Sequence, residues 1–192
     1  MSTSRDDLQF RRTLLDSQQM KKAIRRLAHQ LVEDLDVDTL VLVGVRTRGV
    51  PLAKRLQKMV YEVEGIEPPV GELDITLYRD DVFQGMAIPE VRPTHLPFEM
   101  ANKSVVLVDD VLYTGRTIRA ALDGIMDWGR PKSIKLAVLV DRGHRELPIQ
   151  GDFVGLSLTT APDESVQVRL AECDDIDEVL LWSRNGVDVD GT

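Results

Sequence analysis

Ser104-Val-Val-Leu-Val-Asp-Asp-Val-Leu-Tyr-Thr-Gly-Arg-Thr-Ile-Arg119 decides how this chain is read. Val105 to Val108 form an unbroken apolar run, the pattern of a parallel strand covered on both faces. Asp109 and Asp110 stand at its carboxyl end, the edge at which open α/β sheets bind their ligands. Tyr113 to Thr117 then offer hydroxyls and backbone N–H groups at an expected helix N-terminus, a setting suited to phosphate. Acids beside a phosphate cradle make sense for a ligand that carries both hydroxyls and phosphate. A phosphorylated ribose carries both.

Upstream, Asp16 and Gln19 have the spacing of a helix capping box. Met20, Ile24, Leu27, Ala28, Leu31, Val32 and Leu35 recur at helical spacing behind them. Lys21, Lys22, Arg25, Arg26 and His29 fall largely on the opposite face. Thr39 to Val45 reads as a buried strand that ends in Gly44-Val-Arg-Thr-Arg-Gly49. Arg46, Thr47, Arg48 and Gly49 offer two cations and a glycine at which backbone can approach a ligand closely, features that suit a diphosphate. Val50, Ala53, Leu56, Val60 and Val63 form the stripe of a second helix, which Gly65 ends. Val70 to Tyr78 reads as a strand, with Glu72 and Asp74 as structural supports. Residues 79 to 103 are poor in apolar residues and broken by Gly and Pro, which predicts a mobile functional loop or a hairpin.

Downstream, Ile118, Ala121, Leu122 and Ile125 give a helix one buried face, and Gly129 and Pro131 close it. Ser133 to Val140 is a strand followed by the polar loop Asp141 to Pro148. Phe153–Leu158, Val166–Leu170 and Val179–Trp182 read as short final strands. Alternating strands and helices predict an α/β fold with a doubly wound, mainly parallel sheet. The terminal strands predict a small extra subdomain, a hood over the site. Residues 17–183 are expected to form a single domain, with 1–16 and 184–192 as flexible tails. The loops 44–49, 109–117 and 141–146 would then share one sheet edge.

The chain has 192 residues and a formal net charge of −8. Nine acids and two bases from Ala161 to Thr192 account for −7 of it. That balance argues against binding nucleic acid through bulk charge, while leaving room for a local basic face. Cys173 is the single cysteine, so no intramolecular disulfide forms, and its acidic surroundings argue against a reactive thiolate. No apolar run is long enough to cross a membrane, and the N-terminus lacks the apolar core of a signal peptide. A cytoplasmic location is expected.

Between residues 104 and 119 the chain resembles the type I phosphoribosyltransferases, whose signature is an apolar strand, two acids and Thr-Gly-x-Thr. The resemblance implies that Asp109 and Asp110 bind the ribose hydroxyls of 5-phosphoribosyl diphosphate (PRPP). It implies that Val111, Leu112, Tyr113, Thr114, Gly115, Arg116 and Thr117 follow as the loop that holds the 5′-phosphate. Arg46 to Gly49 match the family's pyrophosphate loop, and Arg79 stands where a flexible loop closes over the diphosphate. Arg48, Arg79, Asp109 and Asp110 are the expected catalytic set, and Mg²⁺ the expected cofactor, carried mainly by PRPP.

Three runs are similar to the PyrR branch of that family: Gly71–Asp81, Val108–Thr117 and Leu139-Val-Asp-Arg-Gly-His-Arg-Glu-Leu-Pro-Ile149. This likeness implies transfer of phosphoribose to uracil, giving UMP, with Val140, Asp141 and Arg142 on the uracil side. It also implies homodimers or higher homo-oligomers. A second role is implied too, binding of pyr mRNA when UMP or UTP fills the site, through Arg25, Arg26, His29 and Arg145. Gln150 and Leu156 stand where RNA-binding relatives tend to carry basic residues, so the RNA role is expected to be weakened. The alternative reading is an RNA-binding attenuator with weak enzyme activity.

Overall fold

The structure is a computed structural model and describes residues 8–79 and 93–184. Two apolar runs, β2 (Leu40–Val45) and β4 (Ser104–Leu112), lie side by side as parallel strands. Their side chains alternate between two apolar clusters. Leu40, Leu42, Val106 and Val108 face one cluster. Val41, Val43, Val105 and Leu107 face the other. A strand with apolar residues at every position is stable only when both faces are covered.

Helices supply that cover. α1 (Ser17–Asp34) and α2 (Gly49–Glu64) pack on the first face through Ile24, Leu27, Leu31, Leu52 and Leu56. α3 (Arg116–Met126) packs on the second through Ile118, Ala121 and Ile125. The start of α1 is fixed by the expected capping box. Asp16 accepts the Gln19 N–H at 2.8 Å, and the Asp16 N–H donates to Gln19 at 2.9 Å.

β3 (Val70–Leu73), β5 (Ser133–Asp141) and β6 (Phe153–Ser157) complete a five-stranded parallel sheet of order β3-β2-β4-β5-β6. From β2 the chain steps outward to β3, then returns past β2 to build β4, β5 and β6. The direction of winding therefore reverses between β2 and β4, the crevice where doubly wound sheets bind ligands. Among the described residues no helix is long and apolar enough to cross a membrane.

Two local expectations are corrected. Residues 8–15 are not irregular but form β1 (Leu8–Leu15). It pairs antiparallel with β8 (Glu178–Arg184), which also pairs with β7 (Glu164–Arg169). This three-stranded sheet is the expected hood, with one strand drawn from the opposite end of the chain. β1 is exposed over residues 9–13 and its apolar residues, Leu8, Phe10, Leu14 and Leu15, do not alternate regularly, so its own pattern marks no buried face. The strand expected over Val70 to Tyr78 stops at Leu73. Asp74 Oδ1 accepts the Thr76 N–H at 2.8 Å and turns the chain into a 3-10 turn, Thr76–Tyr78. Of the long polar segment, 80–92 lies outside the described residues. Its end is anchored: His95 and Glu72 exchange two backbone hydrogen bonds of 2.8 Å, and Leu96 and Met100 are buried.

The entry of α2 is the tightest backbone contact near the crevice. A Cβ on Gly49 would lie 2.2 Å from the Val108 carbonyl oxygen. At Gly65, the left-handed C-cap of α2 with φ 73°, a Cβ would meet open space. Gly49→Ala is therefore expected to lose about 3 kcal/mol or more through forced backbone movement. Gly65→Ala should lose only about 1–2 kcal/mol through the left-handed conformation. Urea unfolding of both variants checks this, and equal losses would refute the close-approach argument.

Candidate active site

The acids of the signature stretch are part of a strand rather than a loop. β4 runs on through them because β5 continues to pair with it, Asp109 opposite Val138 and Val111 opposite Val140. Asp109 is buried and Asp110 half-buried. Burial pushes the Asp109 carboxyl well above the usual carboxylate range, and the neighbouring Asp110 adds to the rise. Asp110 is raised as well, chiefly by burial, with hydrogen bonding to Asp109 and the nearby Arg48 charge working against the rise. Their local contacts are hydrogen bonds from backbone: Asp110 N–H to Asp109 Oδ1 and Val111 N–H to Asp110 Oδ1, each 2.9 Å. Two crowded acids of this kind favour a ligand that donates hydroxyl protons to them.

Beyond Leu112 the chain turns through Tyr113 and Thr114 to Gly115, whose φ of 92° starts α3. Gly115 supplies no side-chain cap, and the Arg116 N–H makes only a long 3.4 Å contact with Thr114 Oγ1, so the α3 N-terminus still presents N–H groups to an anion. The turn is braced from behind. Glu146 and Leu147 donate N–H groups to the Thr114 carbonyl at 3.0 and 3.2 Å, and Arg116 pairs with Glu146 at 2.6 Å.

That brace is the loop after β5, where the sequence suggested a uracil pocket. Val140 is fully buried in the core. Asp141 is bound by Arg145 at 2.5 Å and by the Gly143 N–H at 3.0 Å. Arg142 lies 4.1 Å from the Tyr113 ring centroid and donates to Thr160 Oγ1 (3.1 Å) and the Glu164 carbonyl (2.5 Å). His144 Nε2 is 2.6 Å from the Thr160 carbonyl. Arg145 also donates to the Tyr113, Gly143 and Ile149 carbonyls. This loop therefore ties the Tyr113 turn to the hood, and its side chains line neither cleft described below.

At the end of β2, the Arg46–Thr47 peptide is cis. Arg46 Nη2 pairs with Glu72 at 2.6 Å, and Lys54 pairs with the same carboxylate at 2.9 Å. Those contacts hold Glu72 below its usual range, the Lys54 hydrogen bond most of all, consistent with its expected supporting role. Arg48 makes a two-point contact with Asp174 of α4 (Ala171–Asp174), Nη2 to Oδ1 at 2.7 Å and Nε to Oδ2 at 3.2 Å. Gly49, read as a place for ligand approach, instead admits the backbone of β4.

Two clefts meet here. A polar one of about 430 Å³ is lined by Arg46, Thr47, Arg48, Asp74, Ile75, Thr76, Arg79, Asp109, Asp110, Val111 and Thr117. The other, about 490 Å³, runs under the hood between Arg48, Asp110, Leu8, Ser165, Val166, Gln167, Val168 and Trp182. Arg48 and Asp110 belong to both. The structure thus gathers the β2 loop, the Asp109–Val111 end of β4, Thr117 and exposed Arg79 at one site, while Leu112 is buried in the core and the side chains of Tyr113, Thr114 and Arg116 line neither cleft. Sequence reasoning placed a hood over the site from its short final strands but did not single out Thr76, Asp174 or the hood residues that line the second cleft.

Of the expected RNA-side residues, Arg25 and His29 are exposed on α1. Arg26 donates to the Gly155 carbonyl of β6, and Arg145 is turned inward as described. Gln150 is exposed, and Leu156 packs against the α1–α2 cluster. Among the described residues no group of three or more His, Cys, Asp or Glu could hold a metal.

The buried acids carry a stability cost. Because the folded Asp109 titrates above its unfolded value, the native state binds more protons in that interval, and stability falls as pH rises through it. Asp109→Asn keeps the Oδ1 acceptor for Asp110 N–H while removing the charge. It should raise Tm by about 3 °C or more at pH 8, with the gain shrinking as pH falls into the raised titration range. Thermal melts across pH check this; a lower Tm for the variant at pH 8 would contradict it.

The Phosphoribosyl transferase domain model matches residues 11–173. The "Bifunctional protein PyrR" of Thermus thermophilus is 53% identical over 180 residues, 93% of this chain and 99% of the relative. The protein of the same name from Deinococcus radiodurans is 53% identical over 171 residues, 88% of this chain and 93% of the relative. In fold, the chain is similar to a hypoxanthine phosphoribosyltransferase of Staphylococcus aureus, with TM-score 0.67 and 19% identity over 94% of this chain and 96% of that one. The hypoxanthine phosphoribosyltransferase of Trypanosoma cruzi gives TM-score 0.67 and 14% identity, over 92% and 98%. With the acids, the turn and the cation loop in place, the chain belongs to the phosphoribosyltransferase domain family, and within it to the PyrR proteins.

Proposed function

We propose that this chain transfers the 5-phosphoribosyl group of PRPP to uracil, giving UMP and diphosphate, in a single domain spanning 17–183 that β1 extends. The observation that carries the reading is the shared wall of the two clefts. Arg48 and Asp110 border both the polar cleft and the hood cleft, so a donor in one and a base in the other would meet beside them. In this reading Asp109 and Asp110 accept hydrogen bonds from the ribose hydroxyls. The Tyr113–Thr117 turn and the α3 N-terminus hold the 5′-phosphate. Arg46, Thr47 and Arg48 hold the diphosphate, with Arg79 arriving from the start of the long segment.

A ring nitrogen of uracil attacks C1 of the ribose as the C1–O bond to diphosphate breaks. The ribose takes on positive charge in the transition state, and both electrons of the broken bond leave with the diphosphate. Positioning two reactants in line removes much of the barrier. Arg48 and Arg79 stabilise the charge that gathers on the leaving group. The ribose hydroxyls would give the buried Asp109 carboxylate the donors that solvent does not.

For uracil, Val140, Asp141 and Arg142 act chiefly by shaping the loop behind the Tyr113 turn, and the base itself enters against the hood wall. Mg²⁺ suits this donor set. Two adjacent carboxylates are hard oxygen ligands too few for a cage, and Mg²⁺ characteristically uses one or two carboxylates plus substrate oxygens and water. Asp109 and Asp110 are the residues that would hold it, directly or through water. When bound it would neutralise diphosphate charge. Homo-oligomers and a cytoplasmic setting fit the family reading.

A pyr mRNA role belongs to the same proposal in weakened form. Arg25 and His29 offer an exposed start, while Arg26 and Arg145 are engaged with the protein's own carbonyls, and Gln150 and Leu156 add no charge. Each missing phosphate contact lowers a salt-dependent affinity. Filter binding to the pyr leader RNA with UMP is expected to show no submicromolar, sequence-specific complex; such a complex would overturn this part.

The enzyme reading is tested by UMP formation from uracil, PRPP and Mg²⁺. Wild type should turn over. Arg48→Ala and Asp110→Asn should each lower kcat/KM about a hundredfold or more, the scale of removing one transition-state contact. Binding of PRPP and UMP without turnover in wild type would instead favour a nucleotide sensor.

A further inference from the structure

We propose that Asp174, in the hood, is a positioning residue that sets Arg48 for the diphosphate. This rests on the reading of Arg48 as a diphosphate ligand and assigns a partner that orients it.

A guanidinium holds five N–H donors in one rigid plane. The Asp174 fork engages the Nε edge, through Nε at 3.2 Å and Nη2 at 2.7 Å. Three donors remain, and two of them share the Nη1–Nη2 edge, enough for a second fork to a phosphate. Asp174 is itself fixed, since its Oδ2 accepts the Leu170 N–H at 3.0 Å. The fork competes with an unproductive alternative. Asp110 is the other carboxylate whose charge acts on Arg48. An Arg48 released from the hood would be drawn towards Asp110 and would neutralise an acid needed for the ribose. Held by Asp174, the cation is ordered before the ligand arrives, and less ordering entropy is lost on binding.

The segment that delivers Asp174 is anchored independently. Arg55 lies seven residues after Arg48, two turns along α2 on the same side. It pairs with Glu172 at 2.5 Å and with Asp177 at 2.7 Å, and Asp177 also accepts the Ala171 N–H at 2.9 Å. Those contacts hold the hood on α2 when Asp174 is changed, so the variant reports on Arg48 rather than on hood docking.

The test measures diphosphate and UMP binding by calorimetry, and KM for PRPP, in Asp174→Ala, Asp174→Asn, Asp174→Glu and Arg48→Ala. Asp174→Ala and Asp174→Asn should weaken diphosphate and raise KM for PRPP about tenfold, the scale of one ordered charged contact, with UMP affinity within about twofold of wild type. Asp174→Glu should recover part of the loss. In an Arg48→Ala background, removing Asp174 should add nothing. Unchanged or tighter diphosphate binding in Asp174→Asn, while Arg48→Ala weakens it, would overturn the positioning role and leave the site reading standing. Equal loss of UMP and diphosphate would also overturn it, by showing a general hood effect. If Arg48→Ala itself leaves diphosphate binding unchanged, the reading of Arg48 fails and this proposal with it.

Discussion

Two carboxylates placed at the end of a strand buried on both faces constrain everything around them. Asp109 and Asp110 continue the register of β4 with β5, so they are held as rigidly as the core. Burial raises both above the ordinary carboxylate range; Asp110 adds to the rise at Asp109, while hydrogen bonding to Asp109 and the Arg48 charge hold Asp110 back. Such a pair is costly until a ligand supplies donors. The surrounding parts make that supply specific: a helix N-terminus on one side for an anion, a cation loop on the other, and a hood that closes a second cleft. The site is assembled from the reversal of winding between β2 and β4, so it exists only when the whole sheet is formed.

The arginines show how little of the charge is left to chance. Arg46 is held by Glu72, Arg48 by Asp174, Arg55 by Glu172 and Asp177, and Arg145 by Asp141 and a ring of carbonyls. Partly exposed ion pairs contribute little to stability on their own. Their value here is geometric, because rigid forks fix the loops that border the clefts. Sequence similarity to the PyrR proteins and structural likeness to hypoxanthine phosphoribosyltransferases place the chain on one scaffold. The loop after β5 joins the Tyr113–Thr117 turn to the hood through its own hydrogen bonds.

Local signals carried most of the fold. Continuous apolar strands, the Asp16–Gln19 capping box and the Gly65 stop are properties of short windows, and each appears where the pattern placed it. The acids and the turn after them were legible for the same reason: strand, acids and helix start are contiguous. What could not be read depends on distant partners. β1 is a strand because β8 pairs with it from the far end of the chain, and its broken apolar alternation gives little hint of this. Asp174 reaches Arg48 across 126 positions. Gly49 was read as making room for a ligand, when the space is taken by the Val108 carbonyl. Val140, Asp141 and Arg142 were assigned to the uracil side by family likeness, and no local pattern shows that the Asp141 and Arg142 side chains are tied to Arg145, Thr160 and Glu164.

The central claim is that the crevice between β2 and β4 holds a phosphorylated ribose with its hydroxyls on the buried acids. A crystal structure with PRPP and Mg²⁺ tests it most directly. The account predicts ribose hydroxyls on Asp109 and Asp110, the 5′-phosphate on the Tyr113–Thr117 turn, and diphosphate against Arg46–Arg48. A ligand bound elsewhere, or with diphosphate on the Tyr113–Thr117 turn and no contact to the two acids, would contradict it.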